Sequence, residues 1–125
     1  MLIDSDVLIW YMRGNENAKR IVAKAIPFNI SVVSYMELVQ GMRNKKELVL
    51  LKKYLKLWEV EIVQITSEIS EMAMDFVEKY FLSNSMELQD ALIASTSLVH
   101  NEILLTGNER HYQFLPNIQI NRFVP

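Results

Sequence analysis

The chain has 125 residues, half of them hydrophobic and 22% charged, with three Gly and three Pro, a composition that fits one globular domain spanning residues 1–125 and leaves no disordered tail. Its formal charge of -2 means that any contact with a polyanion rests on a local basic patch or on bound cations. The absence of Cys excludes disulfides, thiolate nucleophiles and Cys-based zinc sites, and a reducing cytoplasm is the expected compartment.

Leu2-Ile3 reads as a very short buried strand that ends as Asp4 appears, and the chain turns helical from Ser5 and Asp6. The two carboxylates interrupt the first apolar run, so neither a signal peptide nor a membrane span is expected there, and no later window reaches the roughly 18 apolar residues a span needs. Ala18, Ile21, Val22, Ala25 and Ile26 fall at helical spacing, closed by Pro27. Phe28 to Val33 is apolar and β-branched, a second strand, with Ser34 as the cap of a helix from Tyr35 to about Gln40 and Gly41 as its left-handed terminator.

Glu47 to Trp58 sets Leu48, Leu51, Leu55 and Trp58 on one face, an amphipathic helix whose other faces carry Lys52, Lys53 and Lys56. Val60 to Ile65 is a third strand, and Thr66 or Ser67 caps a helix with the stripe Ile69, Met72, Ala73, Phe76, Val77 and Tyr80. After Ser83-Asn84-Ser85 a central, largely apolar helix runs from about Leu88 to Val99. Ile103 to Leu105 is a fourth strand, His111 to Leu115 a short helix and Ile118 to Ile120 a fifth strand. This alternation predicts an α/β fold with a mostly parallel four- or five-stranded sheet and helices on both faces.

Sites in such sheets form at the carboxyl ends of strands. Asp4, Glu37 and Asn108 stand there, and Asp90 joins them from the start of the central helix. Each has an ordinary structural reading: Asp4 and Asn108 as helix caps, Ser34 and Glu37 as a capping box, Asp90 as a partner of the helix dipole. Caps need only an acceptor, however, and converging carboxylates repel unless a cation lies among them. Hard oxygen donors of this kind suit Mg²⁺ or Mn²⁺.

The stretches LIDSDVLIWYMRGN, ISVVSYMELVQG, LQDALIASTSL and LLTGNERHYQFLPNIQI, in that order and spacing, resemble the PIN-domain ribonucleases, and among them the VapC-type toxins of toxin–antitoxin pairs. The resemblance covers nearly the whole chain and implies a PIN-like three-layer fold. It implies a metal-dependent endoribonuclease with Asp4, Glu37 and Asp90 as catalytic metal ligands for Mg²⁺ or Mn²⁺, releasing a 3′-hydroxyl and a 5′-phosphate. Asn108 matches a fourth ligand position, Asp in many PIN domains and often Asn in these toxins. Ser5 and Thr106 match supporting hydroxyls, and Asp6 matches the residue that holds the local backbone. The implied partners are an RNA substrate, a cognate antitoxin protein whose Arg or Lys enters the acidic cluster, and a second copy of the chain in a homodimer, with no membrane involved.

Three further expectations concern surfaces. Arg43, Lys45, Lys46, Lys52, Lys53 and Lys56 form either a solvated face or an RNA contact, with Arg13, Arg110 and Arg122 as alternatives nearer the strand ends. His111 is a candidate phosphate contact, or an ordinary exposed helix-start histidine. Met36, Leu38, Val39, Leu48, Leu51 and Tyr54 are either core or an apolar groove for an antitoxin helix. The competing class is a PIN-like interaction module that binds RNA or protein without hydrolysing anything.

Overall fold

The computed structural model describes residues 1–125. In chain order the elements are β1 (Leu2–Ile3), α1 (Ser5–Met12), α2 (Glu16–Ala25), β2 (Asn29–Ser31), α3 (Val32–Gln40), α4 (Lys45–Leu57), β3 (Glu61–Val63), α5 (Ser67–Asn84), α6 (Leu88–Val99), β4 (Leu104–Thr106), a 3-10 turn (Glu109–His111) and β5 (Ile120–Arg122). The strands form one sheet in the order β3-β2-β1-β4-β5, and every neighbouring pair is parallel.

Side chains alternate across a strand, so even a two-residue strand feeds both faces. Leu2 pairs with Leu104 and Ile3 with Leu105. Ile3, Leu105 and Ile30 pack with Val7, Leu8, Val22, Leu51, Leu55 and Trp58 on the face covered by α1, α2 and α4. Leu2 and Leu104 pack with Ala73, Phe76, Ala91, Ile93 and Ala94 on the face covered by α5 and α6. Leu38 of α3 joins the first cluster and Val33 the second, so α3 bridges the two layers. The expected three-layer PIN-like architecture with five parallel strands is present.

Several boundaries differ from the sequence reading. Ser31, not Ser34, caps α3, accepting from the Val33 N–H through its hydroxyl; Val32 and Val33 look like strand residues in isolation but open the helix, because packing outweighs local propensity. Gly41 ends α3 with φ -82°, an ordinary right-handed conformation rather than the expected left-handed one. The short helix expected at His111 to Leu115 is instead the 3-10 turn two residues earlier, and β5 begins at Ile120 rather than Ile118. Leu38 and Leu51 are fully buried core residues, and of the two only Leu38 also lines a cleft, one shared with Ile9, Met12 and Leu50.

The sheet order puts β1 in the middle, with β2 on one side and β4 on the other. Connections from β1 and β4 therefore leave in opposite directions, and a crevice opens at their carboxyl ends.

Leu105 has no solvent exposure and Leu82 is 93% exposed. Leu105→Ala is expected to lower the unfolding free energy by about 2–5 kcal/mol, and Leu82→Ala to change it by no more than about 0.5 kcal/mol, as read by urea titration.

Candidate active site

Asp4 is fixed where β1 ends. Its N–H still donates to the Leu105 carbonyl at 2.9 Å, continuing the ladder with β4, while its extended backbone caps α1 and its Oδ1 accepts from the Ser5 N–H at 2.8 Å. The capping reading is thus correct for Asp4 but incomplete. Its other oxygen, Oδ2, accepts from the hydroxyl of Thr106 at 2.8 Å and lies 3.1 Å from that of Tyr112. Thr106 is the last residue of β4, and its Oγ1 in turn accepts from the Asn108 N–H at 3.0 Å.

Glu37 sits one turn into α3, facing the crevice. With Ser31 as the cap, no capping box forms, and Glu37 is free to accept from the Ser5 hydroxyl at 3.3 Å. Asp90 lies in the first turn of α6, whose cap position, Glu87, makes no side-chain cap bond. Asp90 Oδ1 lies 3.2 Å from the Tyr112 hydroxyl, and Oδ2 lies 3.1 Å from His111 Nδ1. Asp6 turns its Oδ2 to the Gly107 N–H at 2.9 Å. A Cβ at position 107 would stand 2.6 Å from that same oxygen, so a side chain there would displace the Asp6 carboxylate from its place.

Burial strains all four carboxylates, and Asp4 adds to the strain on the other three. Burial, above all, pushes the Asp4 carboxyl up from its usual value. Burial and the neighbouring Asp4 push Asp6 up to about 6, and the same two causes raise Glu37, with Asp90 and Asp6 adding to them. Burial raises Asp90 too, partly countered by His111. The ion pairs of the protein bring no Lys or Arg to any of these acids.

That combination fits a hard divalent cation in its donor chemistry: several carboxylate oxygens, partly buried, with no Lys or Arg among them and only His111 beside Asp90. As placed, no three Asp, Glu or His side chains stand close enough to hold one ion together; Asp4 and Asp90 meet through the Tyr112 hydroxyl. The Asn108 side chain is outside the hydrogen-bonded network; the residue is exposed and reaches it only through its backbone.

Two contacts were not legible from sequence. Tyr112 is 1% exposed and touches both Asp4 and Asp90; a tyrosine in an apolar stretch reads as core, and its hydroxyl partners lie far away in the chain. His111, expected as a phosphate contact or a bare helix-start residue, is paired with Asp90. Beside Glu37, a groove of about 630 Å³ is lined by Val33, Tyr35, Met36, Val39, Gln40 and Gln89, so Met36 and Val39 are the expected groove residues that line this one.

The PIN domain family matches residues 1–114. Ribonuclease VapC10 of Mycobacterium tuberculosis is 33% identical over all of this chain and 95% of its own length. Ribonuclease VapC19 of the same organism is 28% identical, over 94% of this chain and 96% of its own. Among solved structures, a toxin–antitoxin complex from Klebsiella pneumoniae aligns with a TM-score of 0.75 at 25% identity, covering 94% of this chain and 93% of its own. DNA-bound VapBC from Salmonella typhimurium aligns with a TM-score of 0.81 at 16% identity, covering 97% and 96%; that second likeness is one of fold.

Because the acids hold protons to higher pH in the folded chain than in the unfolded one, the folded state binds more protons across their titration. Their contribution to stability is complete below about pH 4, near the unfolded values, and is lost as pH rises through the raised folded values, including that of Asp6 at about 6. Metal-free protein is expected to lose stability in urea titrations from about pH 4 to about pH 7, with a shallower loss in Asp6→Asn.

Proposed function

The chain belongs to the PIN domain family, and from that membership we propose that it is a metal-dependent endoribonuclease, the toxin of a type II toxin–antitoxin pair, with residues 1–125 acting as one PIN-like unit. The observation that carries the reading is the convergence of Asp4, Glu37 and Asp90 on one crevice without a Lys or Arg to neutralise them. Caps alone do not explain it: Glu37 caps nothing, and Asp90 makes no capping bond. The likeness to Ribonuclease VapC10 and to a toxin–antitoxin complex supports the same reading.

Asp4, Glu37 and Asp90 are the groups that would hold Mg²⁺ or Mn²⁺. A cation bound there supplies an activated water and a counter-charge for the scissile phosphate. The protein's own part is positional. Ser5 orients Glu37, Thr106 orients Asp4, and Asp6 ties the Gly107 backbone to the start of α1, keeping the carboxyl ends of β1 and β4 in register. Asn108 is held at the rim of this arrangement by the hydroxyl of Thr106.

RNA also needs a positive surface to offset the acids. A cleft of about 240 Å³ between α2 and β5 is lined by Arg20, Lys24 and Arg122 and contains no carboxylate. It adjoins the crevice, since the Phe123 carbonyl lies against Gly107. We assign the RNA backbone to this cleft ahead of α4 because it adjoins the crevice; each region has one engaged arginine, Arg122 by Glu109 and Arg43 by Glu47. The groove beside Glu37 suits an antitoxin segment that is apolar with one basic residue directed at the acids. Ile65, Met74 and Leu88, exposed over α5 and α6, suit a second copy of the chain.

Purified protein incubated with defined single-stranded RNAs and Mn²⁺ is expected to yield internal cuts with 5′-phosphate ends. EDTA should abolish the cuts, and Asp4→Asn or Asp90→Asn should slow them by at least about 10²-fold. Cleavage that survives both substitutions contradicts the proposed site, and RNA binding without cleavage in any metal favours the interaction module.

A further inference from the structure

Between Asp4 and Asp90 stands a single group, the hydroxyl of Tyr112, 3.1 Å from Asp4 Oδ2 and 3.2 Å from Asp90 Oδ1. The ring beneath it is buried in the core between the sheet and α6, packed in the cluster that includes Leu2, Ala91, Ala94 and Leu104. Its position is therefore set by packing and not by the carboxylates. Tyr112 follows directly on the 3-10 turn, and its N–H donates to the Glu109 carbonyl at 3.0 Å. The end of β4 and the short, tightly turned segment after it thus carry the three groups that grip the two acids: Thr106 on Asp4, Tyr112 on both, and His111 on Asp90.

The chemistry of that contact is one-sided. A phenol keeps its proton at neutral pH and has one proton to donate, so it serves the two carboxylates in alternation or shares between them. Two anions held this close repel. A hydroxyl dipole anchored from the core offsets part of that repulsion and limits how far the two acids can separate. Hydrogen-bond partners of metal-binding side chains act in this manner, by fixing orientation before the ion arrives.

We propose that Tyr112 is a positioning residue for the divalent-cation site: its hydroxyl ties Asp4 to Asp90 and sets the separation from which the two close on the ion. The role rests on the assignment of Asp4 and Asp90 as ligands. Removing the hydroxyl leaves a phenyl ring of the same shape in the core, while each carboxylate loses a partner and the pair is freed to move apart. The binding of a cation then carries the added cost of bringing the acids together again.

The test is Mn²⁺ binding to wild-type protein and Tyr112→Phe, followed by electron paramagnetic resonance of the free ion, with circular dichroism melting of both proteins without metal. The expected result is a folded variant whose dissociation constant for Mn²⁺ rises about 10- to 100-fold, and whose RNA cleavage recovers as Mn²⁺ is raised above that constant. A merely structural tyrosine gives a lowered melting temperature without this rescue. Equal or tighter Mn²⁺ binding by Tyr112→Phe overturns the proposal while leaving the metal site standing; no Mn²⁺ binding by the wild type overturns both. If Tyr112→Phe does not fold, 3-fluorotyrosine incorporated into the wild-type chain gives the answer by fluorine resonance. A buried resonance that shifts with the Mg²⁺ binding curve supports the tie, and one that stays fixed overturns it.

Discussion

Four carboxylates share one crevice and no lysine or arginine answers them. Every local feature of the site follows from that constraint. Burying charge is costly unless it is paired or hydrogen-bonded, and apart from His111 on Asp90 the chain meets the cost with neutral donors: the Ser5 and Thr106 hydroxyls, the Tyr112 phenol and the backbone N–H groups of Ser5, Val7 and Gly107. Neutral donors hold the acids without cancelling them. The raised protonation of Asp4, Asp6, Glu37 and Asp90 is the remaining strain, and a hard divalent cation is the partner we propose to relieve it.

The topology explains why the strain collects in one place. With β1 central and its neighbours β2 and β4 on either side, the crevice receives Asp4 directly, Glu37 from the helix that follows β2, and Thr106 and the turn beyond it from β4. Asp90 arrives from α6, the helix that packs on the opposite layer from α1. The site is therefore built across both layers, and α3, which contributes to both cores, couples them.

Much of this was legible in the sequence because charge inside apolar runs is conspicuous. Asp4 interrupts a strand and Asp90 opens a largely apolar helix, so both were visible without coordinates, and the strand–helix alternation gave the sheet. What was not legible depends on contacts distant in sequence or on packing that overrides local preference. Val32 and Val33 look like strand yet begin α3, which moved the cap to Ser31 and removed the capping-box reading of Glu37. Tyr112 looks like core and is core, but its hydroxyl is polar and reaches an acid at the far end of the chain. No spacing rule identifies that contact; only the register of β1 against β4 does.

The most direct test of the cluster as a cation site is an anomalous difference map from crystals grown or soaked in Mn²⁺. A peak among the carboxylates of Asp4, Glu37 and Asp90, with Asp4 and Asp90 drawn toward it, is the predicted result. A map with no peak in the crevice at millimolar Mn²⁺, or with a peak that engages none of the three, would contradict it.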